Sequence, residues 1–240
     1  MNKILEVGFM ETKTLNDGVQ IPVYGFGTFQ IPADGSTYQA VREALDLGIR
    51  HIDTAVAYFN EHEVGQAIKD SGVPRSEIFV TSKLWLRVSN MTVKIWNQFI
   101  PQFDTLPSVN QIEFNPYCQR KEIRKLMADA GVALEAWGPL GQGNQALLTD
   151  PVIVKIAEKH GKDVGQVILR FEYQEGAIIF PKSTNSKRMK SNMEIFDFSL
   201  SADEMQEIRD LDTGKGCFDH DAPGVAEFLL ANFDVHANEN

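Results

Sequence analysis

The stretch "HIDTAVAYFNEHEVGQAIKDSGVPRSEIFVTSKLW", residues 51–85, sets the architecture. "HIDTA" is a short strand, "EHEVGQAIKDSG" reads as a helix stopped at Gly72, and "EIFVTSKLW" (77–85) reads as a second strand. Strand, helix, strand makes a parallel pair, because parallel strands need a long crossover. The alternation extends both ways. Upstream, "VYGFGTF" (23–29) is a strand whose glycines let something approach the backbone. "TYQAVREALDLG" (37–48) is a helix with Tyr38, Val41 and Leu45 on one face and Gly48 as its stop. Downstream, "TVKIWNQFIPQF" is a helix, "SVNQIEF" (108–114) a strand, "KEIRKLMADAG" a helix and "VALEAWGPL" (132–140) a strand. "DPVIVKIAEKHG" and "VGQVILRFEYQEG" are helices, "AIIFPKS" (177–183) is a strand and "SKRMKSNMEIF" a helix. Such repetition predicts an α/β fold with a parallel sheet covered on both faces. No linker, repeat or low-complexity block divides it, so residues 1–240 are expected to form one domain, with an irregular tail from about residue 213.

A chain of 240 residues can bury a substantial core. Its net charge of −10 argues against a nucleic-acid surface. Two cysteines, Cys118 and Cys217, cannot build a disulfide framework and fit a reducing compartment. The N-terminal apolar stretch is short and broken by Glu6 and Glu11, unlike a signal peptide, and no run approaches a membrane span. The expectation is a cytoplasmic protein with neither nucleic-acid nor membrane partners.

In a (βα) barrel, functional side chains gather at the C-terminal ends of the strands. Asp53 follows "HI", Lys83 follows "FVTS", Gln111 and Glu113 lie in "NQIE", Trp137 follows "LEA" and Lys182 follows "IIFP". Singly, each is a polar residue ending a strand. Six at one end point to a shared site.

"HIDTAVAYFNE", "TSKLW", "VNQIEFNP", "EAWGPLGQG" and "FPKSTNSKRMKSN", in this order, resemble the signatures of the aldo-keto reductase family, from about Thr14 to Asp219. The resemblance implies an eight-stranded (βα) barrel that reduces an aldehyde or ketone with a nicotinamide dinucleotide, usually NADPH. It implies Tyr58 as the proton donor, with Lys83 and Asp53 beside it. The chemistry agrees: charge builds on the carbonyl oxygen as hydride arrives, and something must protonate or stabilise that oxygen. A free phenol, with a pKa of about 10, is a sluggish donor. A nearby ammonium is expected to lower that pKa, and an aspartate to keep the ammonium charged. Asn60 and Glu61 read as caps of the following helix, and Phe59 stands where the family often has glycine.

The resemblance further places Ser89, Asn90 and Gln111 on the nicotinamide carboxamide and Trp137 against the ring. Lys182, Ser183 and Arg188 would meet the adenosine 2′-phosphate; Lys182, Lys187, Arg188 and Lys190 form a run without acids, and cations there favour NADPH. Asn192 follows in the same motif, with Ser191 where the family often has glutamate. "GFGT", with Gly27 and Thr28, and "GPLGQG", with Gly138, Pro139 and Leu140, let backbone approach the cofactor. Nothing resembles a metal site.

The family's catalytic histidine, on a strand of the type "DLYLIHWP", has no counterpart: His51, His62, His160, His220 and His236 all stand elsewhere. "KLWLRVSNM" (83–91) fuses the end of the family's third strand to the end of its fifth, through Leu86, Arg87 and Val88. That junction implies an internal deletion of about sixty residues, at about thirty per βα unit. About six of the eight parallel strands should remain, in an incomplete TIM-type barrel, open or distorted, whose bare edges invite self-association. The expected function is therefore a weakened NADPH-dependent carbonyl reductase acting on a small molecule. The alternative is a vestigial NADP(H)-binding protein.

Overall fold

The computed structural model describes residues 11–83, 90–102, 105–217, 219 and 221–222. It begins with an antiparallel hairpin, β1 (Thr12–Thr14) and β2 (Gln20–Pro22), which the sequence reading did not foresee. Asp17 and Gly18 turn it: Gly18 has φ 85°, and the Asp17 carboxylate accepts from Val19 N at 3.0 Å. Leu15 and Ile21 of this hairpin pack on Ala133, Ile178 and Phe180, flanked by Phe79 and Val109. The hairpin thus plugs one end of the sheet.

Among the described residues six parallel strands follow: β3 (Phe26–Gly27), β4 (His51–Asp53), β5 (Phe79–Thr81), β6 (Val109–Glu113), β7 (Ala133–Trp137) and β8 (Ile178–Ile179). They form two triplets, β3-β4-β5 and β6-β7-β8. A parallel bridge between Tyr24 and Ile179 joins the triplets, with Gly25 N donating to Ile179 O at 2.9 Å and Ile179 N to Val23 O at 3.0 Å. The order across the molecule is therefore β5-β4-β3-β8-β7-β6. Among the described residues no strand pairs with the outer edge of β5 or of β6; only the Asn90–Met91 segment reaches β6 there, Asn90 N donating to Gln111 O at 2.8 Å and Met91 N to Asn110 Oδ1 at 3.2 Å. The Leu86–Val88 junction lies outside the described residues.

The strands are shorter than their apolar runs suggest, most of all at 23–29. There the glycines admit the chain's own β8: a Cβ on Gly25 would sit 2.6 Å from the Phe180 ring, and one on Gly27 3.2 Å from Phe180 O. At both positions it is therefore the chain's own Phe180 that comes closest to the glycine.

The covering helices are α1 (Ser36–Asp46), α2 (Glu61–Asp70), α3 (Val93–Phe99), α4 (Lys121–Asp129), α5 (Gln145–Leu148), α6 (Pro151–His160), α7 (Val164–Gln174), α8 (Ser186–Met193) and α9 (Ala202–Arg209). Local chemistry fixes their ends. Asp150 caps α6 ahead of Pro151, and left-handed Gly161 stops it. Capping boxes, Asp163 with Gln166 and Ser201 with Glu204, start α7 and α9. Each helix turns an apolar face inward, such as Ile153, Ile156 and Ala157 of α6. No helix among the described residues is long and apolar enough to cross a membrane.

Candidate active site

Asp53 is the last residue of β4 and only 4% exposed. Its strand partner is Thr81, so the chain two residues beyond β5 brings Lys83 alongside. Lys83 Nζ donates to Asp53 Oδ1 at 2.5 Å and to Thr54 O at 3.1 Å. Tyr58 ends the 3₁₀ turn Val56–Tyr58, with its ring centroid 5.0 Å from Lys83 Nζ. The three residues expected to cooperate are one cluster.

Its electrostatics depart from expectation. Burial pushes the Tyr58 phenol above its ordinary pKa, Asp53 adds to this, and Lys83 offsets only part. Tyr58 is therefore a neutral phenol at pH 7, holding its proton. Burial works against the Lys83 charge, but Asp53 and Tyr58 hold its pKa above the ordinary value. Burial also raises the Asp53 carboxyl, against the pull of Lys83 and Gln111.

Two neighbours serve the scaffold. Asn60 precedes α2 without capping it; its Nδ2 donates to Thr28 O at 2.9 Å and Ile31 O at 3.0 Å, tying the loops after β3 and β4. Glu61 likewise accepts from Ser82 Oγ at 2.6 Å. Thr28 is fully buried and donates through N and Oγ1 to Asp53 O, at 3.0 and 3.1 Å, which steadies the end of β4.

Across the mouth, Gln111 Nε2 donates to Asp53 Oδ1 at 2.9 Å. Trp137 Nε1 donates to Asn90 Oδ1. Asn90 thus presents Nδ2 as a donor, and Gln111 presents Oε1, which accepts nothing among the described residues. Gly138 follows Trp137 in a left-handed turn (φ 62°), its carbonyl accepting from Gly141 N at 2.8 Å, and Pro139 and Leu140 lie in that turn. Ser89 lies outside the described residues. At the end of β8, Ser183 is buried and its Oγ is 3.4 Å from Arg188 Nε, while Asn185 caps α8 by accepting from Arg188 N at 3.1 Å. Lys182, Lys187, Arg188 and Lys190 are exposed, and no carboxylate pairs with them among the described residues. Asn192 is buried on the same helix.

With this geometry in place, the comparisons are decisive. The model of the "Aldo/keto reductase family" matches residues 24–105 and 86–213. This chain belongs to the aldo/keto reductase family. It is 39% identical to an aldo-keto reductase of Mycolicibacterium smegmatis over 260 aligned positions, covering 84% of this chain and 94% of that one. Among solved structures it is similar to MGS-M4, an aldo-keto reductase from a deep-sea metagenome (30% identity, TM-score 0.81, 86% of this chain and 97% of that one). It is also similar to a Gox0644 variant in complex with NADPH (29% identity, TM-score 0.80, 87% of this chain and 96% of that one). The chain is an oxidoreductase with the parallel α/β barrel architecture of this family.

In this aldo-keto reductase no described histidine stands at the cluster. His51 is buried below it, with Nδ1–H donating to Pro22 O at 3.0 Å and Nε2 accepting from Thr81 Oγ1 at 2.8 Å; burial lowers its pKa to about 4, so it is neutral. His62 is exposed on α2, and His160 contacts Glu204 at 3.0 Å. His220 and His236 lie outside the described residues. Glu113 serves the tail: its carboxylate accepts from Cys217 N at 2.9 Å and faces Arg120 Nη2 at 3.4 Å. A Cβ on Gly216 would fall 2.1 Å from Glu113 Oε2, so any other residue there would push the Glu113 carboxylate aside. Sequence reasoning missed Glu135, buried on β7 with Oε2 3.2 Å from Gln111 Nε2. The signal was present: an acid two residues before Trp137 shares its face of the strand.

Proposed function

We propose that this reductase converts an aldehyde or ketone to the alcohol using NADPH, at a rate reduced by the missing histidine. The observation that carries the proposal is the closed Asp53–Lys83–Tyr58 cluster beside a donor and an acceptor suited to a carboxamide. Asn90 Nδ2 can donate to a carboxamide oxygen and Gln111 Oε1 can accept from its amino group. The unpaired cations of α8 fit a 2′-phosphate. The donor set therefore suits NADPH.

When bound, the nicotinamide supplies hydride to the carbonyl carbon. Tyr58 then passes its proton to the carbonyl oxygen, and Lys83, charged and pinned by Asp53, stabilises the phenolate left behind. Trp137 and the 138–140 turn wall the ring side. Removing one hydrogen-bond donor to a developing oxyanion typically costs about 10²–10³ in rate, so activated aldehydes should turn over slowly and simple ketones hardly at all. Support for the deletion comes from two features: the family matches overlap at residues 86–105, and the Mycolicibacterium alignment is longer than the chain itself.

Single-turnover oxidation of bound NADPH by a reactive aldehyde tests the proposal. Tyr58→Phe should abolish it while leaving NADPH affinity nearly unchanged, since the hydroxyl acts in the transition state. Equal turnover in both proteins would make the phenol structural. Saturable NADPH binding with no oxidation at all would favour the vestigial reading, which the absent histidine motivates.

A further inference from the structure

We propose that Glu135 is a positioning residue of the reduction site: it fixes the Gln111 side-chain amide with its nitrogen inward, which reserves the amide oxygen for the amino group of the nicotinamide carboxamide. The inference rests on the NADPH reading above. Gln111 and Glu135 are register partners on β6 and β7, and Trp137 lies two residues on, on the same face as Glu135. The Gln111 amino group serves two acceptors, Asp53 Oδ1 at 2.9 Å and Glu135 Oε2 at 3.2 Å. Asp53, bound to the Lys83 ammonium, can only accept. A flipped amide would set its oxygen against the Asp53 carboxylate, which has no proton to offer, and would forfeit the bond its nitrogen makes to Glu135 Oε2. With one acceptor the amide can swivel; with two, both its hydrogens are committed.

Glu135 is 1% exposed, and its Oε1 has no partner among the described residues. The groups facing it are Asp53, Tyr58, Lys83 and Gln111. Burial and the Asp53 charge, against Lys83 and Gln111, push its carboxyl up to about 8, so it is a neutral acid at pH 7 whose Oε2 accepts. One lysine neutralises one acid here. Ionisation of Glu135 near pH 8 would set a second negative charge beside Asp53 and further from balance. The bridge from Asp53 through Gln111 to Glu135 also spans β4 to β6 and β7, tying the two strand triplets across the barrel interior.

Quenching of tryptophan fluorescence by NADP⁺ and by its 3-acetylpyridine analogue, which keeps the carbonyl and lacks the amino group, tests this without turnover. The expected gap in the parent protein is up to about tenfold in favour of NADP⁺, the worth of one hydrogen bond. Glu135→Ala should shrink the gap to about twofold or less, through weaker NADP⁺ binding. Glu135→Gln should keep it, because its amide oxygen can still accept from Gln111, and should abolish any change in the gap near pH 8. Glu135→Met, similar in volume and without an acceptor, replaces Glu135→Ala if that variant does not fold. An unchanged gap in Glu135→Ala or Glu135→Met overturns the inference and leaves the reductase reading standing. Failure of the parent protein to bind NADP⁺ overturns both.

Discussion

Phe59 shows how much one residue beside the cluster costs. It occupies the left-handed region (φ 55°, ψ 23°) and is 39% exposed. A side chain there costs about 1–2 kcal/mol, and glycine gives back about 0.5–1 kcal/mol through its looser unfolded state. Phe59→Gly should therefore stabilise the protein by up to about 1 kcal/mol, raising Tm by about 2–4 °C in a calorimetric scan. An unchanged or lower Tm would mean that Phe59 packing outweighs the strain. Tyr58, Lys83 and Asp53 were legible in the sequence because motif order fixed them. The direction of the Tyr58 pKa shift was not, since burial is a property of everything packed around it.

At the scale of elements, α8 and α7 make opposite cases. The start of α8 gathers cations that no carboxylate among the described residues pairs with. Arg188→Ala should leave NADH affinity unchanged and weaken NADPH by roughly tenfold or more, the worth of a hydrogen bond between charged groups. Equal NADPH and NADH affinities in the parent protein would refute the phosphate assignment. On α7, Glu172 is fully buried with both carboxylate oxygens unpartnered among the described residues, and burial raises its pKa well above the ordinary value. Below the ordinary glutamate range, folded and unfolded chains both hold this proton and stability is fullest. As pH rises through about 4.5 the unfolded chain releases it and the folded chain does not, so stability falls until the folded carboxyl ionises. Glu172→Gln should remove that decline and add about 1–3 kcal/mol at pH 8, read from urea unfolding at pH 5 and pH 8. The same pH dependence in both proteins would place the titration elsewhere.

Among the described residues the molecule leaves two strand edges, of β5 and of β6, that a closed barrel lacks. β5 has half-buried residues throughout, and beside it lies a groove of about 550 Å³ lined by Val64, Ile68, Val73 and Val80. The groove carries Glu61, Lys69 and Arg75, both signs of charge, so two copies can complement each other across it. The protein should associate with itself in a concentration-dependent way in light scattering, and Val80→Lys should shift it towards the monomer. A parent protein monomeric at every concentration would show that the edge is covered from within.

The sequence by itself determined the alternation of elements and the meeting of Asp53, Lys83 and Gln111 at the strand ends, whereas Asn60 was misread as a cap and Glu113 turned to the tail. The alternation and that meeting depend on periodicity and motif order, both written along the chain. Even the Asp17-Gly18 hairpin signal was there to be read. Tertiary structure alone decided that Gly25 and Gly27 yield to β8, that Asn60 and Thr28 brace the Asp53 loop, and that Glu135 meets Gln111. Each depends on which atoms of distant strands come within bonding distance and away from water. Burial then raises the Tyr58 phenol further and keeps Glu135 protonated at pH 7, because the cost of a charge depends on the medium enclosing it.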